Sequence, residues 1–365
     1  MRFLEAIATA ISIGLVAGGL GAADAETAEP LSLEARIPLG EVAGRIDHLA
    51  YDAKRGRLIV AELGNNSVSI LDLDQRTVVR RITGLNTPQG VAYLAATDSL
   101  YVASAGDGLV RRYKADNFAE GDRVELGDDA DNIRIDRATS QVIVGYGAGG
   151  LAVIEGVAGK KPATPNQGPA KAETASPSGQ RSGTRRARNP RGTSAEFLLP
   201  VHPEGFQLDP AGPRIFVNLA GLGEIGVVDR KSGKLTAAWR VPGLGSNFPM
   251  AIDGSGEHIF VAFRRPPRLV ALDPNSGTVA ATTDACTDPD DIFLDSQRRR
   301  LYMTCGAGVV DVLEQDGSTF RRVAQIESGR GARTGLYVPE RDRLYVAAPA
   351  TDGQPAAILV FRPSP

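Results

Sequence analysis

The alternation of apolar and polar residues divides this chain into short apolar runs that are separated by clusters of turn-forming residues. The clearest stretch spans residues 45–84 and contains four runs, at residues 49–51, 58–61, 68–71 and 78–82. Gly, Asn and Asp residues occupy the gaps between the runs. Short apolar runs bounded by such residues are typical of strands joined by tight turns. The stretch therefore predicts an antiparallel meander of four strands.

The same unit recurs along the chain. Segments that resemble IDHLAYD lie near residues 47, 89, 131, 204, 248, 290 and 333, and all but one of the spacings are 42 to 44 residues. A period of this length with four strands per unit is typical of the blades of a β-propeller, as in WD40-like repeats. A single four-stranded sheet buries too little apolar surface to be stable alone. The repeats therefore predict an all-β, seven-bladed propeller of four-stranded antiparallel blades.

The two ends of the repeat array are complementary. The seventh repeat supplies only three strand-like runs, whereas an additional run, LSLEARIPLG at residues 31–40, precedes the first repeat. We expect residues 33–39 to pair into the last blade as its outer strand, because this closes the ring and removes an open sheet edge. Residues 26–365 then form a single propeller domain.

The N-terminus has the pattern of an export signal. Arg2 is followed by an apolar run at residues 6–20 and by the small residues Ala23 and Ala25. The run is shorter than a confident membrane span, so we expect residues 1–25 to be a signal peptide cleaved after Ala25. The alternative is an uncleaved membrane anchor. The prediction places the mature protein in the periplasm or outside the cell.

The one long spacing between repeats contains a polar insertion at residues 158–194, within the third blade. It is rich in Pro, Gly, Ser, Lys and Arg and has no apolar periodicity, so we expect it to be disordered. It is either a basic arm that contacts an anionic polymer or membrane surface, or a tolerated loop expansion. The formal net charge of −2 gives no overall attraction to nucleic acid, so we expect no sequence-specific nucleic-acid binding. We also expect the protein to be a monomer.

The chain contains two cysteines, Cys286 and Cys305. Both are predicted to lie in connections on the same face of the sixth blade. An even pair so placed in an exported protein indicates a disulfide, with a free redox pair as the alternative.

Chain direction within each blade places the residues that precede the inner strands around one mouth of the central channel. Many of them are polar, and convergent polar groups in a concave site suggest ligand binding. The alternative is a solvated rim whose Asp and Asn side chains cap turns. The ten predicted ligand-binding residues are Asp47, His48, Gln89, Asp131, Asn132, His202, Glu204, Asp290, Asp291 and Arg333.

No cofactor is expected with certainty, but the rim offers ligands for a divalent metal. Carboxylate and amide oxygens suit Ca²⁺, and Glu204, Asn132 and Asp290 are the candidate ligands. His48 together with Asp131 and Glu204 is an alternative set for a transition metal.

The sequence argues against several kinds of enzyme, because their motifs are missing from it. The chain lacks the G-x-S-x-G, H-E-x-x-H, P-loop and C-x-x-C patterns. Trp239 is the only tryptophan, which argues against a quinone-dependent dehydrogenase that encloses its cofactor in tryptophans. The basic loop at residues 264–268, RRPPR, is interpreted as an ordinary polar loop, with anion steering as the alternative.

The second strand of most repeats carries a recognisable phrase. RLIVAE, SLYVAS, RLYMTC and RLYVAA resemble the YVTN-type repeat of exported bacterial propellers, the YncE-like group, and residues 284–315 resemble one blade of that group with both cysteines. Only Asn218 matches the final Asn of the repeat. The resemblance implies a seven-bladed propeller in the periplasm and says little about activity.

Two functions agree with these features. The first is a non-catalytic periplasmic propeller that binds a ligand or partner protein at the channel-mouth face. The second is a metal-dependent hydrolase of the lactonase or esterase type, in which a metal polarises the substrate and a side chain acts as base. For the hydrolase, the metal ligands would be Glu204, Asn132 and Asp290 or Asp291, and the base would be Asp131 or His48.

Overall fold

The computed structural model describes residues 29–156, 192–316, 319–351 and 353–365. The predicted signal peptide and all but the last three residues of the predicted insertion lie outside these ranges. The described residues form seven four-stranded sheets, and every paired strand is antiparallel to its neighbour. The predicted all-β, seven-bladed propeller is confirmed.

Each blade is a meander whose strands follow one another from the central channel outward, except that the first strand of the chain belongs to the last blade. That first strand is β1 (Leu31–Pro38). Blades one to four are β2 (Leu49–Asp52), β3 (Arg57–Glu62), β4 (Ser67–Asp72) and β5 (Thr77–Thr83); β6 (Pro88–Leu94), β7 (Ser99–Ser104), β8 (Leu109–Lys114) and β9 (Glu120–Glu125); β10 (Ile133–Asp136), β11 (Gln141–Tyr146), β12 (Gly150–Glu155) and β13 (Ala195–Leu198); and β14 (Phe206–Leu208), β15 (Arg214–Leu219), β16 (Glu224–Asp229) and β17 (Lys234–Arg240). Blades five to seven are β18 (Gly245–Ile252), β19 (Ile259–Arg265), β20 (Pro267–Leu272) and β21 (Val279–Asp284); β22 (Pro289–Asp295), β23 (Arg300–Cys305), β24 (Val309–Asp316) and β25 (Thr319–Glu327); and β26 (Gly335–Val338), β27 (Arg343–Ala348), β28 (Ala357–Pro363) and β1.

The described residues contain three short 3-10 helices, Leu63–Asn65, Ala95–Thr97 and Pro339–Arg341. None of the helices in this part of the chain is long and apolar enough to cross a membrane.

Burial explains the sequence pattern of the strands. The second strand of a blade, such as β3, is buried along almost its whole length, whereas the outer strand β17 alternates exposed and half-buried residues. Second strands are covered on both sheet faces by the neighbouring blades, so they read as continuous apolar runs. The buried apolar residues form seven clusters, and each cluster joins two adjacent blades.

The ring closes as predicted. Strand β1 pairs antiparallel with β28, from Leu31 opposite Pro363 to Pro38 opposite Ala357. Leu31 packs into the cluster between blades six and seven, and Ile37 packs into the cluster between blades seven and one. The strand begins two residues earlier and ends one residue earlier than the predicted range, because the pairing partner sets its ends.

A single carboxylate supports this closure. Glu34 on β1 accepts hydrogen bonds from Arg343 (2.7 Å) and Arg362 (3.0 Å) of the same blade and from Arg76 (2.5 Å) of blade one. Charge-assisted bonds are stronger than neutral ones, and three of them meet at this residue. The N-terminal strand is therefore tied to both blades that it joins.

Arginine clamps join neighbouring blades at the end of the ring where the inner strands finish. Arg55 of blade one donates to Asp52 of its own turn (2.9 Å) and to both carboxylate oxygens of Asp98 in blade two (2.7 and 2.6 Å). A second clamp of the same kind, also centred on an arginine, joins blades six and seven. That clamp consists of Arg298, Asp295 and Asp342.

We predict that two apolar side chains of β1, Ile37 and Leu33, differ sharply in their contribution to stability. Ile37 is 1 % exposed and Leu33 is 50 % exposed. Ile37→Ala should lower the free energy of unfolding by about 2–5 kcal/mol through lost burial and a residual cavity. The matched change Leu33→Ala should lower it by less than about 0.5 kcal/mol. Equal effects of the two variants in urea unfolding would contradict the assigned role of β1.

We predict an acid-dependent contribution from Glu34. Burial would raise the pKa of this carboxyl, but hydrogen bonds from Arg362 and Arg343 outweigh it and hold the pKa below 4.5. The pKa of Glu34 is lower in the folded state than in the unfolded state. Its stabilisation is therefore complete above the unfolded-state pKa and is lost as the pH falls through the folded-state pKa.

Wild type should therefore exceed Glu34→Gln in unfolding free energy by about 1 kcal/mol near neutral pH, since the ion pairs are partly exposed. The difference should shrink towards zero as the pH falls well below 4.5. Urea unfolding of both proteins, from neutral pH to well below 4.5, measures this difference in free energy. A difference that grows on acidification would refute the role of the Glu34 carboxylate.

Candidate functional site

A polar cavity of about 220 Å³ lies at the mouth of the channel where the inner strands begin. Its wall contains at least one residue from every blade, and all ten side chains predicted from the sequence line it. Their binding role stays a prediction. The full lining is Arg45, Asp47, His48, Gln89, Asp129, Asp131, Asn132, Arg134, His202, Glu204, Gly205, Phe248, Pro249, Met250, Arg264, Asp290, Asp291 and Arg333.

Close packing of neighbouring inner strands brings these side chains together. A Cβ atom at Gly90 would lie 2.0 Å from the backbone oxygen of Asp131, and one at Gly205 would lie 2.5 Å from the backbone oxygen of Phe248. Only glycine permits this backbone approach. The segments PQGV and PEGF therefore place Gln89 and Glu204 directly against the next blade.

Two histidines flank one buried aspartate. The Nε2 atom of His48 lies 3.7 Å from Asp131 Oδ1 and 3.7 Å from Asp47 Oδ1. The Nε2 atom of His202 lies 4.0 Å from Asp131 Oδ2. His202 Nδ1 donates a hydrogen bond of 2.6 Å to the backbone oxygen of Gly147, which fixes the ring so that Nε2 is directed at Asp131.

The electrostatics of this centre favour a charged pair. Burial would raise the pKa of Asp131, but hydrogen bonding to His202 and the charges of both histidines and Arg45 outweigh it and lower that pKa. Burial would lower the pKa of His202, but Asp131 and the carbonyl of Gly147 raise it to about 9. The Asp131 carboxylate therefore faces a protonated His202 near neutral pH.

Four other carboxyls in the cavity hold protons more tightly than usual, those of Asp47, Asp129, Glu204 and Asp291. Burial, together with the charges of Asp131 and Asp290, raises the pKa of Glu204 to about 7. Burial also raises the pKa of Asp291 to about 7 and lifts the pKa of Asp47 well above its usual range. Burial is the largest cause of the raised pKa in each of these groups.

The arginine of the RRPPR loop organises the opposite wall. Arg264 donates to Asp290, lies 3.0 Å from Asp288 Oδ1, and stacks on the ring of Phe248 at 3.8 Å from the ring centre. Arg333 pairs with the other oxygen of Asp288 at 2.7 Å. These contacts join blades five, six and seven through one network of ion pairs.

Sequence reasoning did not place four further polar residues in the site. Arg134 illustrates the missed signal, because it is a charged residue inside the apolar inner strand β10. Its guanidinium lies 5.4 Å from the ring centre of Phe206, and burial lowers its pKa. A charge at such a position indicates a polar channel interior. The four residues are Arg45, Asp129, Arg134 and Arg264.

One part of the cavity has the donors that a divalent cation requires. Single ligand atoms of Asp131, His202 and Glu204 lie within 4.8 Å of one another. Asp131 Oδ1 and Asn132 Oδ1 are buried and have no hydrogen-bond partner among the described residues. Asp290, a candidate ligand from the sequence, instead has an oxygen engaged by Arg264.

The predicted disulfide is present. Cys286 and Cys305 are bonded, with their Cα atoms 6.1 Å apart. The backbone nitrogen of Cys286 donates to Asp311 (2.8 Å), and that of Gly306 donates to the carbonyl of Asp288 (2.8 Å). The bond therefore anchors the connection that carries Asp288, which pairs with Arg264 and Arg333 of the cavity wall.

Comparison with known proteins gives the fold but no family. No protein-family model matches the chain, and no curated protein matches it. A chain of Kuenenia stuttgartiensis hydrazine synthase is 15% identical with a TM-score of 0.70, covering 89% of this chain and 97% of that one. A chain of a mitotic checkpoint complex is 10% identical with a TM-score of 0.67, covering 98% of each chain.

The β-propeller domain of Myceliophteria thermophila Cps50 (Swd1) is 11% identical, with a TM-score of 0.65, and covers 92% of this chain and 100% of that domain. At these identities the likeness shows the fold alone, because one fold can serve many unrelated functions. The YVTN-type repeat stays a resemblance.

We predict that the disulfide stabilises the fold. It closes a loop with a sequence separation of 19 residues, which contributes about 3 kcal/mol in the chain-entropy account. The double variant Cys286→Ala/Cys305→Ala should lower the free energy of unfolding by about that amount. Reductant should destabilise wild type and leave the double variant unchanged. Identical unfolding of wild type with and without reductant, once thiol titration has shown complete reduction, would contradict the prediction.

Proposed function

We propose that the protein is a non-catalytic periplasmic propeller that binds a small polar ligand in the channel-mouth cavity. The supporting observation is the convergence of polar side chains from all seven blades on one cavity. A cavity of about 220 Å³ suits a small molecule or ion rather than a polymer chain.

The kinds of residue in the cavity favour binding over covalent chemistry. Its described lining contains no serine, threonine, cysteine, lysine or tyrosine, so a covalent nucleophile of those types is missing from it. Several polar groups are instead held in ion pairs before any ligand arrives, as Arg264 and Arg333 are by Asp288. Such preorganisation lowers the entropy cost of binding.

The periplasmic location belongs to the proposal. The apolar run at residues 6–20, followed by small residues, supports export. The disulfide between Cys286 and Cys305 supports an oxidising compartment.

A second candidate is the metal-dependent hydrolase of lactones or esters. The grouping of Asp131, His202 and Glu204 favours it. A metal at that position would supply Lewis-acid chemistry and an activated water. His48, whose Nε2 atom is 3.7 Å from Asp131, would act as the base.

We predict that compounds which fill the cavity raise the melting temperature of the mature protein. The probes are a panel of small amino acids, dicarboxylates, amines and monosaccharides in a thermal-shift assay. Binding at a hundred times the dissociation constant contributes about 2.7 kcal/mol, which is readily measured. Glu204→Gln should abolish the shift. Glu257→Gln, the same change at an exposed residue in the turn after β18, should preserve it.

Either of two results would count against the binding function: no shift with any probe, or equal shifts in wild type and Glu204→Gln. Turnover of a simple aryl ester or lactone that depends on an added divalent ion and is lost in Glu204→Gln would favour the hydrolase instead.

A further inference from the structure

We propose that the channel-mouth cavity holds a divalent first-row transition metal, of the Zn²⁺ type, bound by Asp131, His202 and Glu204 and completed by Asn132. This inference rests on the proposed binding function and deepens it by naming the class of ligand at one end of the cavity.

The spacing of the donors fits a small ion. Zinc binds oxygen and nitrogen at about 2.0–2.2 Å, so two ligands of one ion lie roughly 3–4.4 Å apart. The ligand atoms of Asp131, His202 and Glu204 lie within 4.8 Å of one another. A movement of well under 1 Å in these side chains closes the difference.

His202 is oriented as a metal ligand is. Its Nδ1 atom donates to the backbone oxygen of Gly147 (2.6 Å) and lies 3.3 Å from Asp129 Oδ2. Metal-binding histidines characteristically donate the distal N–H to a carbonyl or carboxylate, which orients the other nitrogen and raises its basicity. Here the other nitrogen, Nε2, is the one directed towards Asp131, and a bound ion would displace the proton that it carries near neutral pH.

Two buried oxygens without partners support a cation, and one of them, on Asn132, lies outside the cluster of Asp131, His202 and Glu204. Asn132 is 4 % exposed and Asp131 is 9 % exposed, and the Oδ1 atom of each has no hydrogen-bond partner among the described residues. Buried polar atoms are almost always satisfied, because an unpaired one carries a desolvation cost. A cation in this part of the cavity would accept electron pairs from both side chains.

The donor set selects the kind of ion. Ca²⁺, expected from the sequence on the oxygen ligands Glu204, Asn132 and Asp290, prefers six to eight oxygens. The structure instead offers the imidazole nitrogen of His202 and leaves Asp290 with Arg264. Imidazole with carboxylates suits Zn²⁺, Co²⁺ or Mn²⁺. The nearby Arg45 does not oppose an ion with its full charge, because its side chain is 48 % exposed and solvent screens it.

Metal titration of tag-free protein spanning residues 26–365 tests the proposal. Protein stripped with chelator and desalted should bind one equivalent of Zn²⁺ by calorimetry and retain it in elemental analysis. Co²⁺ should bind competitively and give a ligand-field spectrum. His202→Ala and Glu204→Gln should each weaken Zn²⁺ binding by about tenfold or more.

Matched controls are available in the turn after β18, at the other end of the ring. His258→Ala and Glu257→Gln make the same substitutions in a second group that contains Asp253. These variants should bind Zn²⁺ as wild type does. Circular dichroism and urea unfolding of the stripped proteins establish that each variant is folded.

Any of three results would overturn the metal site: less than one tenth of an equivalent bound, unchanged affinity in folded His202→Ala, or equal losses in His258→Ala. Retention of an organic ligand by a protein that binds no metal would sink this inference and leave the proposed binding function standing. A protein that binds neither would remove both.

Discussion

A four-stranded blade cannot cover its own apolar faces, and the rest of this structure depends on that constraint. Each of the seven apolar clusters lies between two adjacent blades, so every blade contributes to two clusters and is stabilised by both neighbours. An open array would leave two blades half covered. The pairing of β1 with β28 removes that deficit, because one strand from the start of the chain completes the sheet at its end.

The constraint also accounts for where polar groups are found. Apolar packing occupies the faces between blades, so polar side chains gather at the two ends of the ring. At one end, the clamps of Arg55 and Arg298 reach the neighbouring blade and stabilise the ring. At the other end, the acids and arginines converge on a cavity. No single blade possesses this site, because Asp131, Glu204 and Asp290 reach one cavity only when the ring is closed.

Much of this arrangement was predictable from the sequence, for identifiable reasons. The length of the repeats predicted a propeller, and their number predicted seven blades. The last repeat lacks a strand, which predicted that β1 completes the last blade. The alternation of strands and turns determined which residues precede the inner strands, so all ten rim side chains were placed correctly. The pairing of Arg264 with Asp290 was not predictable, because strand periodicity does not specify how a loop of one blade contacts the next. Arg134 was not predicted to line the cavity because the inner strand β10 was interpreted as apolar without regard to the arginine within it.

The charged groups of the cavity and the apolar packing that stabilises the fold lie in different parts of this molecule. Burying Asp47, Glu204 and Asp291 near one another disfavours their ionised forms, as their raised pKa values show, and such crowding costs stability. A small isolated sheet would have little stability with which to offset that cost. The ring offsets it through apolar contacts that lie between blades, away from the cavity. Changes at the rim can therefore alter the polar groups of the cavity while the apolar packing that maintains the ring stays intact.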